Sequence, residues 1–408
     1  MRYLYLLLLP LVSFGNTLPS VIEKVQHNDI MKSMHYITKA QKKALSSIKS
    51  AYLPKLSANA LYSYLSEDQR SFIDPETTAS LEASFVLFDG FKRYHSLKAQ
   101  NNQVKVSKEQ ALHQRETLTF NTIKLYFSLL SLQANINAKE QKRKQLIEEV
   151  LRLEKFFQAG SISEDKLEQI KAASAMTEYE LALLHQNYHD ITLTLSTLAD
   201  VIIDSPVIAH LKSPNFTQKG TTHELKAVAK AITALKHQAQ VKTADYWPTI
   251  ILKDTFSTTA YYDVASALPI EFPASTNKIQ LVAQMTLFDF FGKSHEKESL
   301  LLQKKAKEAD LSFKKRDLTM KQKLAKIQIE TSIKKINAAR QSLKSSEKSF
   351  SFIKERFAVN LADSVTFLDA LSTFYQSKAL LAASEHDLEV AYANYYFQYG
   401  IPLKEKIQ

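Results

Sequence analysis

The chain has 408 residues, of which only 6 are Gly, 10 are Pro and none is Cys. Long stretches rich in Ala, Leu, Lys, Glu, Gln and Ser run without a helix breaker, which is typical of long helices rather than of two or three ordinary globular domains. The lack of Cys excludes disulfides, thiol nucleophiles and thiolate metal sites. The net charge is +11, with Lys densest over 293–348. This excess of positive charge indicates solvated faces of basic helices or, as the alternative, contact with an anionic surface such as a membrane or cell wall.

The first fifteen residues have the pattern of a secretory signal peptide. Arg2 precedes an apolar run from Tyr3 to Val12, and the small residues Ser13 and Gly15 follow. This pattern predicts export with cleavage after Gly15, and no Cys follows for a lipid anchor. No later stretch of about 20 apolar residues predicts a transmembrane helix. Export also argues against nucleic acid as the partner of the basic helices.

The rest of the chain repeats one plan with a period near 200 residues, which indicates a duplication rather than a solenoid. The most similar segments are LEASFVLFDGFKR at 81–93 and LVAQMTLFDFFGK at 281–293. The predicted division is a signal peptide at 1–15, a first structural repeat at 16–204, a linker at 205–221 and a second structural repeat at 222–408.

In each repeat, two stretches alternate between apolar and polar residues with a period of two, and this pattern predicts two strands. The stretch 250–258 fits this alternation less well, since Asp254 falls on its apolar side. Polar loops containing Pro and Tyr join the strands of each pair as hairpin tips, and their Tyr residues fit either a membrane aromatic girdle or ordinary β propensity. The predicted strands lie near 55–66, 79–89, 249–262 and 277–289.

Two very long helices are predicted, over 93–157 and over 293–357, because neither stretch contains Pro or Gly. A continuous helix of that length is about 100 Å long. Apolar residues recur every three or four positions, which is the pattern of a coiled coil or helix bundle. Helices of this kind need neighbours to pack against.

The repeated Leu-Phe-Asp phrase predicts a junction between strand and helix rather than a catalytic carboxylate. The Asp is expected to accept hydrogen bonds from free backbone N–H groups of the helix that follows. A Gly gives the backbone freedom to change direction, and a Pro ends the incoming helix. The predicted junction residues are Pro54, Asp89, Gly90, Pro248, Asp289 and Gly292.

No motif for nucleotide binding, for a serine nucleophile or for a zinc protease is present. The nearest approach to a metal pair is His185 and His189, whose spacing is more typical of a solvated helix than of a ligand set. Carboxylates are spread along the helices at salt-bridge spacing. The sequence therefore predicts no enzyme, no cofactor and no metal site.

Together these residues resemble the TolC-type outer-membrane efflux proteins of Gram-negative bacteria. The resemblance covers essentially the whole mature chain. It rests on the signal peptide, the duplication, YLPKL at 52–56, FVLFDGFKR with its echo, and RFAVNLADSVTFLDA at 356–370. The last phrase is similar to the family's Tyr-x-x-Gly-x-x-Ser-x-x-Asp-Val-Leu-Asp-Ala.

The resemblance implies a mainly α fold with a small β part, assembled as a homotrimer. Long coiled-coil hairpins would form an α-barrel across the periplasm, and four strands per protomer would contribute to a shared 12-stranded β-barrel in outer-membrane lipid. Four strands are too few to close a membrane barrel alone, so the residues themselves also favour sharing between copies.

The implied function is a passive exit duct of a tripartite efflux or type I secretion system, coupled to a periplasmic adaptor and an inner-membrane pump. The alternative is a coiled-coil scaffold of the periplasm or cell envelope without a pore.

In the family, the two helix–helix turns form a periplasmic tip that contacts the adaptor and narrows the channel. Asn360 stands where the family has Gly, and Asn tolerates the same left-handed backbone. The inward acidic positions of the family correspond to Thr366 and Asp369. Because Thr366 departs from the pattern, a constriction formed by Asp363, Thr366 and Asp369 would be less negative. The implied adaptor-contact residues are Ala159, Gly160, Ser161, Val359, Asn360 and Leu361.

Overall fold

The computed structural model describes residues 17–64, 76–203, 206–217, 220–261 and 273–408. The predicted signal peptide and most of both predicted hairpin loops lie outside these residues. The described elements are α1 Leu18–Val25, α2 Asp29–Ser50, β1 Lys55–Ser63, β2 Glu76–Asp89, α3 Lys92–Gln158, α4 Glu164–Ala199, α5 His223–Ala244, β3 Thr249–Tyr261, β4 Ser275–Gln284, α6 Gly292–Ala358, α7 Ser364–Gln398 and a 3-10 turn at Leu403–Lys406.

The predicted mainly α fold with a small β part is confirmed. Both repeats follow the same order, which is helix, strand, strand, 67-residue helix and a second long helix. The chain forms two compact units, and each unit contains segments of both repeats. Unit 1 comprises residues 1–33, 112–223 and 316–408, and unit 2 comprises residues 34–111 and 224–315. The repeats are therefore not separate domains, and their boundaries stay predictions.

The sheet belongs to unit 2 and is antiparallel throughout, in the order β1-β2-β3-β4. Its last strand is shorter than the alternation predicted, since β4 ends at Gln284 and leaves Leu287 beyond it. The reason lies in the register. Gln284 is opposite Thr249, the first residue of β3. The residue before it is Pro248, which has no N–H to continue the ladder.

The helices of unit 2 contact one another in the same order as the strands. Gln100 on α3 donates to Gln41 on α2 at 2.8 Å. His95 on α3 is 3.2 Å from His237 on α5, between the two Nδ1 atoms. On α5, Lys242 pairs with a carboxylate of α6 at 2.6 Å. Within unit 2, α2 and α6 therefore lie at the two edges of this helix layer, and neither has a buried residue there.

Unit 1 contains two apolar cores. One joins α1, α3, α4, α6, α7 and the C-terminal segment. It holds the linker through Tyr126, whose hydroxyl is 2.8 Å from the N of Val207 and 2.6 Å from its O. The other lies where α3, α4, α6 and α7 approach their turns. This second core positions the candidate site described next.

Candidate functional site

The first helix–helix turn joins α3 to α4 at Ala159, Gly160 and Ser161. Gly160 has a φ of 69°, in the left-handed region. Its N–H donates to the carbonyl of Phe157 at 2.9 Å, and the N–H of Ser161 donates to the carbonyl of Phe156 at 2.8 Å. This pair of bonds is a Schellman motif, which ends a helix by satisfying its last carbonyls.

The second turn, between α6 and α7, has the same construction although it lacks Gly. Asn360 has a φ of 60°. Its N–H donates to the carbonyl of Phe357 at 3.2 Å, and the N–H of Leu361 donates to that of Arg356 at 2.8 Å. Asn adopts the left-handed conformation at lower cost than other residues with a Cβ. The two repeats therefore end their long helices in the same way.

Side chains of the first hairpin hold the second turn. Lys166 on α4 donates to the side-chain oxygen of Asn360 at 3.1 Å, and Arg152 on α3 donates to the carbonyl of Ala358 at 3.2 Å. Both cations also lie over the ring of Phe357, at 5.2 and 5.4 Å from its centroid. We call the following set the turn cluster: Arg152, Lys166, Phe357, Asn360 and Phe367.

Phe357 is the centre of the turn cluster. Its side chain is 1% exposed, and its ring stacks on that of Phe367 with 4.5 Å between centroids and 13° between planes. Arg152 and Lys166 were not predicted from the sequence, because neither belongs to a motif. Their role arises from the approach of two hairpins that are almost 200 residues apart in sequence, and no local signal encodes it.

The three residues of the predicted constriction, at the start of α7, differ in their hydrogen bonds. Asp363 is the N-cap of α7, and its carboxylate accepts a hydrogen bond from the N–H of Thr366 at 2.7 Å. This bond holds the pKa of Asp363 below its ordinary value of 3.8. Thr366 and Asp369 are exposed. In the described part of the chain, Asp369 makes no ion pair.

All six residues of the two turns are exposed. The second turn presents apolar side chains to solvent, since Val359 is 64% exposed and Leu361 is 67% exposed. Nearby, Val365 in the first turn of α7 is exposed as well. Clustered apolar side chains on a surface are typical of a site of contact with another protein.

The second candidate site is the sheet, whose two faces differ in chemistry. On one face, apolar side chains are 39 to 72% exposed: Leu56, Leu81, Leu252, Phe256, Ile279 and Leu281. The opposite face is polar and carries an ion pair between Lys253 and Glu82 at 3.4 Å, together with Thr78 and Thr259, whose hydroxyls are 3.1 Å apart. An exposed apolar sheet face of this extent indicates an apolar environment on that side.

Asp254 interrupts the apolar face, as its place in the alternation predicted. It lies in one row across the sheet with Leu56, Ala83 and Ile279. Its side chain is exposed, and no ion pair to it is present among the residues that the structure describes. A carboxylate on a membrane-facing strand is destabilising, although less so than a Lys or Arg.

The Asp of each junction binds the start of the following helix. Asp89 accepts hydrogen bonds from the backbone N–H of Arg93 at 3.0 Å and from its guanidinium at 2.9 Å. Asp289 accepts from the backbone N–H of Lys293 at 2.8 Å and from the hydroxyl of Tyr246 at 3.3 Å. These are the contacts expected of a carboxylate near a helix N-terminus.

The glycines of the two junctions are not equivalent, which corrects the role expected for Gly292. Gly90 has a φ of 62°, but in the second junction the positive φ values belong to Phe290, at 53°, and Phe291, at 65°. Aligning the two phrases on their Asp residues places Phe290 opposite Gly90. Gly292 is instead the first residue of α6.

Pro54 and Pro248 each follow an incoming helix at a distance of four residues. The helices end at Ser50 and Ala244, and short turns of i to i−3 hydrogen bonds lead from there to each Pro. The extended conformation that a Pro imposes on the preceding residue favours this exit from the helix.

Over the described residues, no helix has a stretch that is long and apolar enough to cross a membrane. In the same part of the chain, no three His, Asp or Glu side chains come together in a way that could hold a metal ion.

Long paired helices, a four-stranded antiparallel sheet and two matching helix–helix turns define a class of outer-membrane channel proteins. The model of the outer membrane efflux protein family matches residues 22–199 and 219–398. The chain belongs to this family, which supplies the outer-membrane channels of tripartite efflux systems. The resemblance to TolC-type proteins is thereby confirmed.

Solved structures of channels share this fold at low sequence identity. VceC of Vibrio cholerae is 16% identical with a TM-score of 0.83, and the match covers 95% of this chain and 96% of that one. CmeC of Campylobacter jejuni is 15% identical with a TM-score of 0.82, covering 93% and 84%. The open state of MtrE of Neisseria gonorrhoeae is 16% identical with a TM-score of 0.80, covering 95% and 90%. No curated protein sequence matches the chain.

Proposed function

We propose that three copies of this chain form a passive outer-membrane duct, coupled to a periplasmic adaptor and an inner-membrane pump. The proposal rests on two features of the four-stranded sheet, its edges and its apolar face. Its edge strands β1 and β4 are each paired on one side only within the described residues, and one of its faces is apolar and exposed. Unpaired strand edges favour pairing with another strand. Copies joined β4 to β1 would complete a closed sheet with its apolar face toward lipid.

The helix layer of unit 2 supports the same assembly. Its edge helices α2 and α6 have no buried residues in that unit, and a helix of this kind needs a partner to be stable. Tyr36 on α2 and Phe313 on α6 are large side chains that a neighbouring copy would cover. The trimeric assembly of the family agrees with this number of copies.

The helix–helix turns are proposed as the periplasmic tip. Val359 and Leu361 would supply the apolar contact with the adaptor, and the turn cluster would hold both turns in one arrangement. Asp363, Thr366 and Asp369 are the proposed constriction. Asp369 is the carboxylate with most freedom to meet a passing cation, because Asp363 is engaged in capping α7.

Reconstitution tests the duct. Purified protein in detergent should have three times the mass of one chain by light scattering, and in planar lipid bilayers it should give discrete conductance steps. Migration that changes with heating and recovery in the outer-membrane fraction are expected from cells. A monomer confined to the soluble fraction, with no conductance, would favour the poreless scaffold and contradict the proposal.

Coupling to the adaptor is tested separately. Val359→Asp and Leu361→Asp should abolish efflux in cells that also contain the cognate adaptor and pump, while conductance of the purified protein in bilayers remains. If both variants transport as well as the parent, the adaptor contact lies elsewhere.

A further inference from the structure

The two hairpins of the sheet have the same register. Lys55, the first residue of β1, is opposite Ser84 of β2, and Thr249, the first residue of β3, is opposite Gln284 of β4. The offset from Lys55 to Thr249 is 194 residues, and the offset from Ser84 to Gln284 is 200 residues. The duplication seen in the sequence is therefore preserved residue by residue in the sheet.

The pairing of β2 with β3, which joins the two repeats, continues to the last residue of β2. Its final pair is Asp89 with Thr249, and a β-bulge leaves Leu87 as the extra residue of β2. The equivalent segment of the second repeat is 285–289. It has no strand partner among the described residues, since β4 ends at Gln284.

The exposure of equivalent side chains shows the effect of this missing partner. Phe85 and Phe88 are half-buried in the strand that pairs with β3. Their counterparts Met285 and Phe288 are 49% and 61% exposed. An exposed apolar segment thus continues directly from a sheet edge that is unpaired in the described part of the chain, and such an edge favours pairing with another strand.

We propose that residues 285–289 complete β4 only in the assembled protein, by pairing with residues 55–58 of the next copy. This inference rests on the proposed function, and it specifies the interface that closes the sheet between copies. The register is that of β2 on β3, moved by the two offsets, with a bulge at Leu287 in place of Leu87. The proposed pairs, with the residue of the β4 side first and that of the next copy second, are Leu281 with Tyr62, Ala283 with Ala60, Met285 with Ala58, Phe288 with Leu56 and Asp289 with Lys55.

The chemistry of the two edges favours this register over its neighbours. A slip of one residue would place the apolar face of one strand beside the polar face of the other. A slip of two residues keeps the faces, but it separates Val282 from Leu61, which are apolar residues on the polar face of their strands. In the proposed register these two side chains are opposite each other, and Gln284 is opposite Asn59. Cross-strand pairs of like chemistry stabilise a sheet.

The last proposed pair brings opposite charges together. Lys55 is exposed at the start of β1, and the carboxylate of Asp289 also binds the start of α6. An opposite-charge pair between strands is favourable. Completion of β4 would therefore connect the next copy to the junction from which α6 begins.

Disulfide formation between copies tests the register, because the chain has no Cys. Residues directly opposite each other have Cα atoms about 4.5–5.5 Å apart, which a disulfide can bridge. Diagonal neighbours are about 7–8 Å apart, at or beyond its limit. Within one chain β2 and β3 separate β1 from β4, so a disulfide between the edge strands joins two copies.

Four double variants combine Cys at position 283 or 285 with Cys at position 60 or 58. On oxidation, Ala283→Cys with Ala60→Cys and Met285→Cys with Ala58→Cys should give covalent species of three times the mass of one chain on a denaturing gel. The matched controls, Ala283→Cys with Ala58→Cys and Met285→Cys with Ala60→Cys, should migrate as single chains. Ala60→Cys with Ala79→Cys, which are opposite within one chain, shows that oxidation works.

The outcomes separate this inference from the proposed duct. Covalent trimers from the two control pairs would show a shifted register, and covalent trimers from positions 283 and 60 alone would show that β4 does not extend past Gln284. Either result would overturn the inference and leave the duct intact. The same holds if none of the four variants is linked although the parent is a trimer and the oxidation control reacts. A monomeric parent would overturn both.

Amide exchange of the parent tests the completion of β4 without any substitution. In the trimer, residues 285–289 should exchange about tenfold or more below their intrinsic rates, as expected of residues 85–89 in β2. Exchange at the intrinsic rate in 285–289, together with slow exchange in 85–89, would contradict the proposed pairing.

Discussion

The ammonium of Lys166 lies 3.1 Å from the side-chain oxygen of Asn360 and 5.2 Å from the ring centroid of Phe357. One side chain of the first hairpin thus contacts both the left-handed residue of the second turn and the aromatic ring that anchors it. Arg152 adds a second link of the same kind. The two turns are therefore coupled, and an event at one of them is expected to reach the other.

Removing this link should loosen the second turn. Lys166→Met keeps the length of the side chain but loses the hydrogen bond, which is worth about 0.5–1.5 kcal/mol. We expect faster amide exchange at Asn360 and Leu361 and longer open times in single-channel records. Lys155→Met is the matched control, because Lys155 is an exposed cation at the end of α3. Equal exchange in the two variants would show that Lys166 does not restrain the turn.

The aromatic centre of the turn cluster should contribute far more than an exposed ring on the same helix. Phe357→Ala removes a side chain that is 1% exposed and is expected to cost about 3–5 kcal/mol. Phe352→Ala, at a position 67% exposed, should cost less than about 1 kcal/mol. Urea unfolding of the two variants gives the comparison. Similar midpoints for both would contradict the packing described here.

Substitution by Ala should have different effects at Gly160 and Gly90, although the two residues have nearly the same φ. At Gly160 a Cβ meets nothing within 4 Å, so Gly160→Ala should cost only the backbone term of about 1–2 kcal/mol. At Gly90 the added Cβ would lie 2.4 Å from the Cβ of Trp247 and 2.7 Å from the carbonyl of Ala244. Gly90→Ala should therefore displace the junction and reduce the yield of trimer. Unfolding temperature and trimer yield, measured for both variants, distinguish them; equal losses would contradict the close contact.

Acid should weaken the cap of α7. The pKa of Asp363 is lowered in the folded chain by the hydrogen bond from Thr366. A carboxyl group of this kind stabilises the fold above its unfolded pKa, which is 3.8, and this contribution is lost as the pH falls through the lower folded pKa. Amide exchange in the first turn of α7, corrected for intrinsic rates, should rise below about pH 4. Asp363→Asn keeps a capping oxygen and should remove this pH dependence; if it persists, another group is responsible.

Asp369 is the carboxylate expected to interact with cations in the constriction. Asp369→Asn should reduce block of the channel by a multivalent cation, because the ring of charge that attracts the blocker is lost. Asp190→Asn, at an exposed position on α4, is the control and should leave block unchanged. Single-channel currents identical to the parent would show that Asp369 does not line the constriction.

Local chemistry determined most of the secondary structure. Alternating residues specify strands, and breaker-free stretches specify the two 67-residue helices, because both patterns depend on neighbours within a few positions. The capping contacts of Asp89 and Asp289 follow from the same short range. Gly160 and Asn360 likewise indicate where a left-handed residue can end a helix.

Tertiary structure decided what depends on partners distant in sequence. β4 stops at Gln284 because its partner Thr249 follows a Pro, which the alternation in β4 does not show. Phe290 takes the left-handed conformation that was expected of a glycine. The residue directly after the junction Asp has a positive φ in both repeats, although it is Gly90 in one and Phe290 in the other. The links from Lys166 and Arg152 to the second turn arise only when the two hairpins pack together. Such contacts depend on the approach of distant segments, and no periodicity in the sequence records that approach.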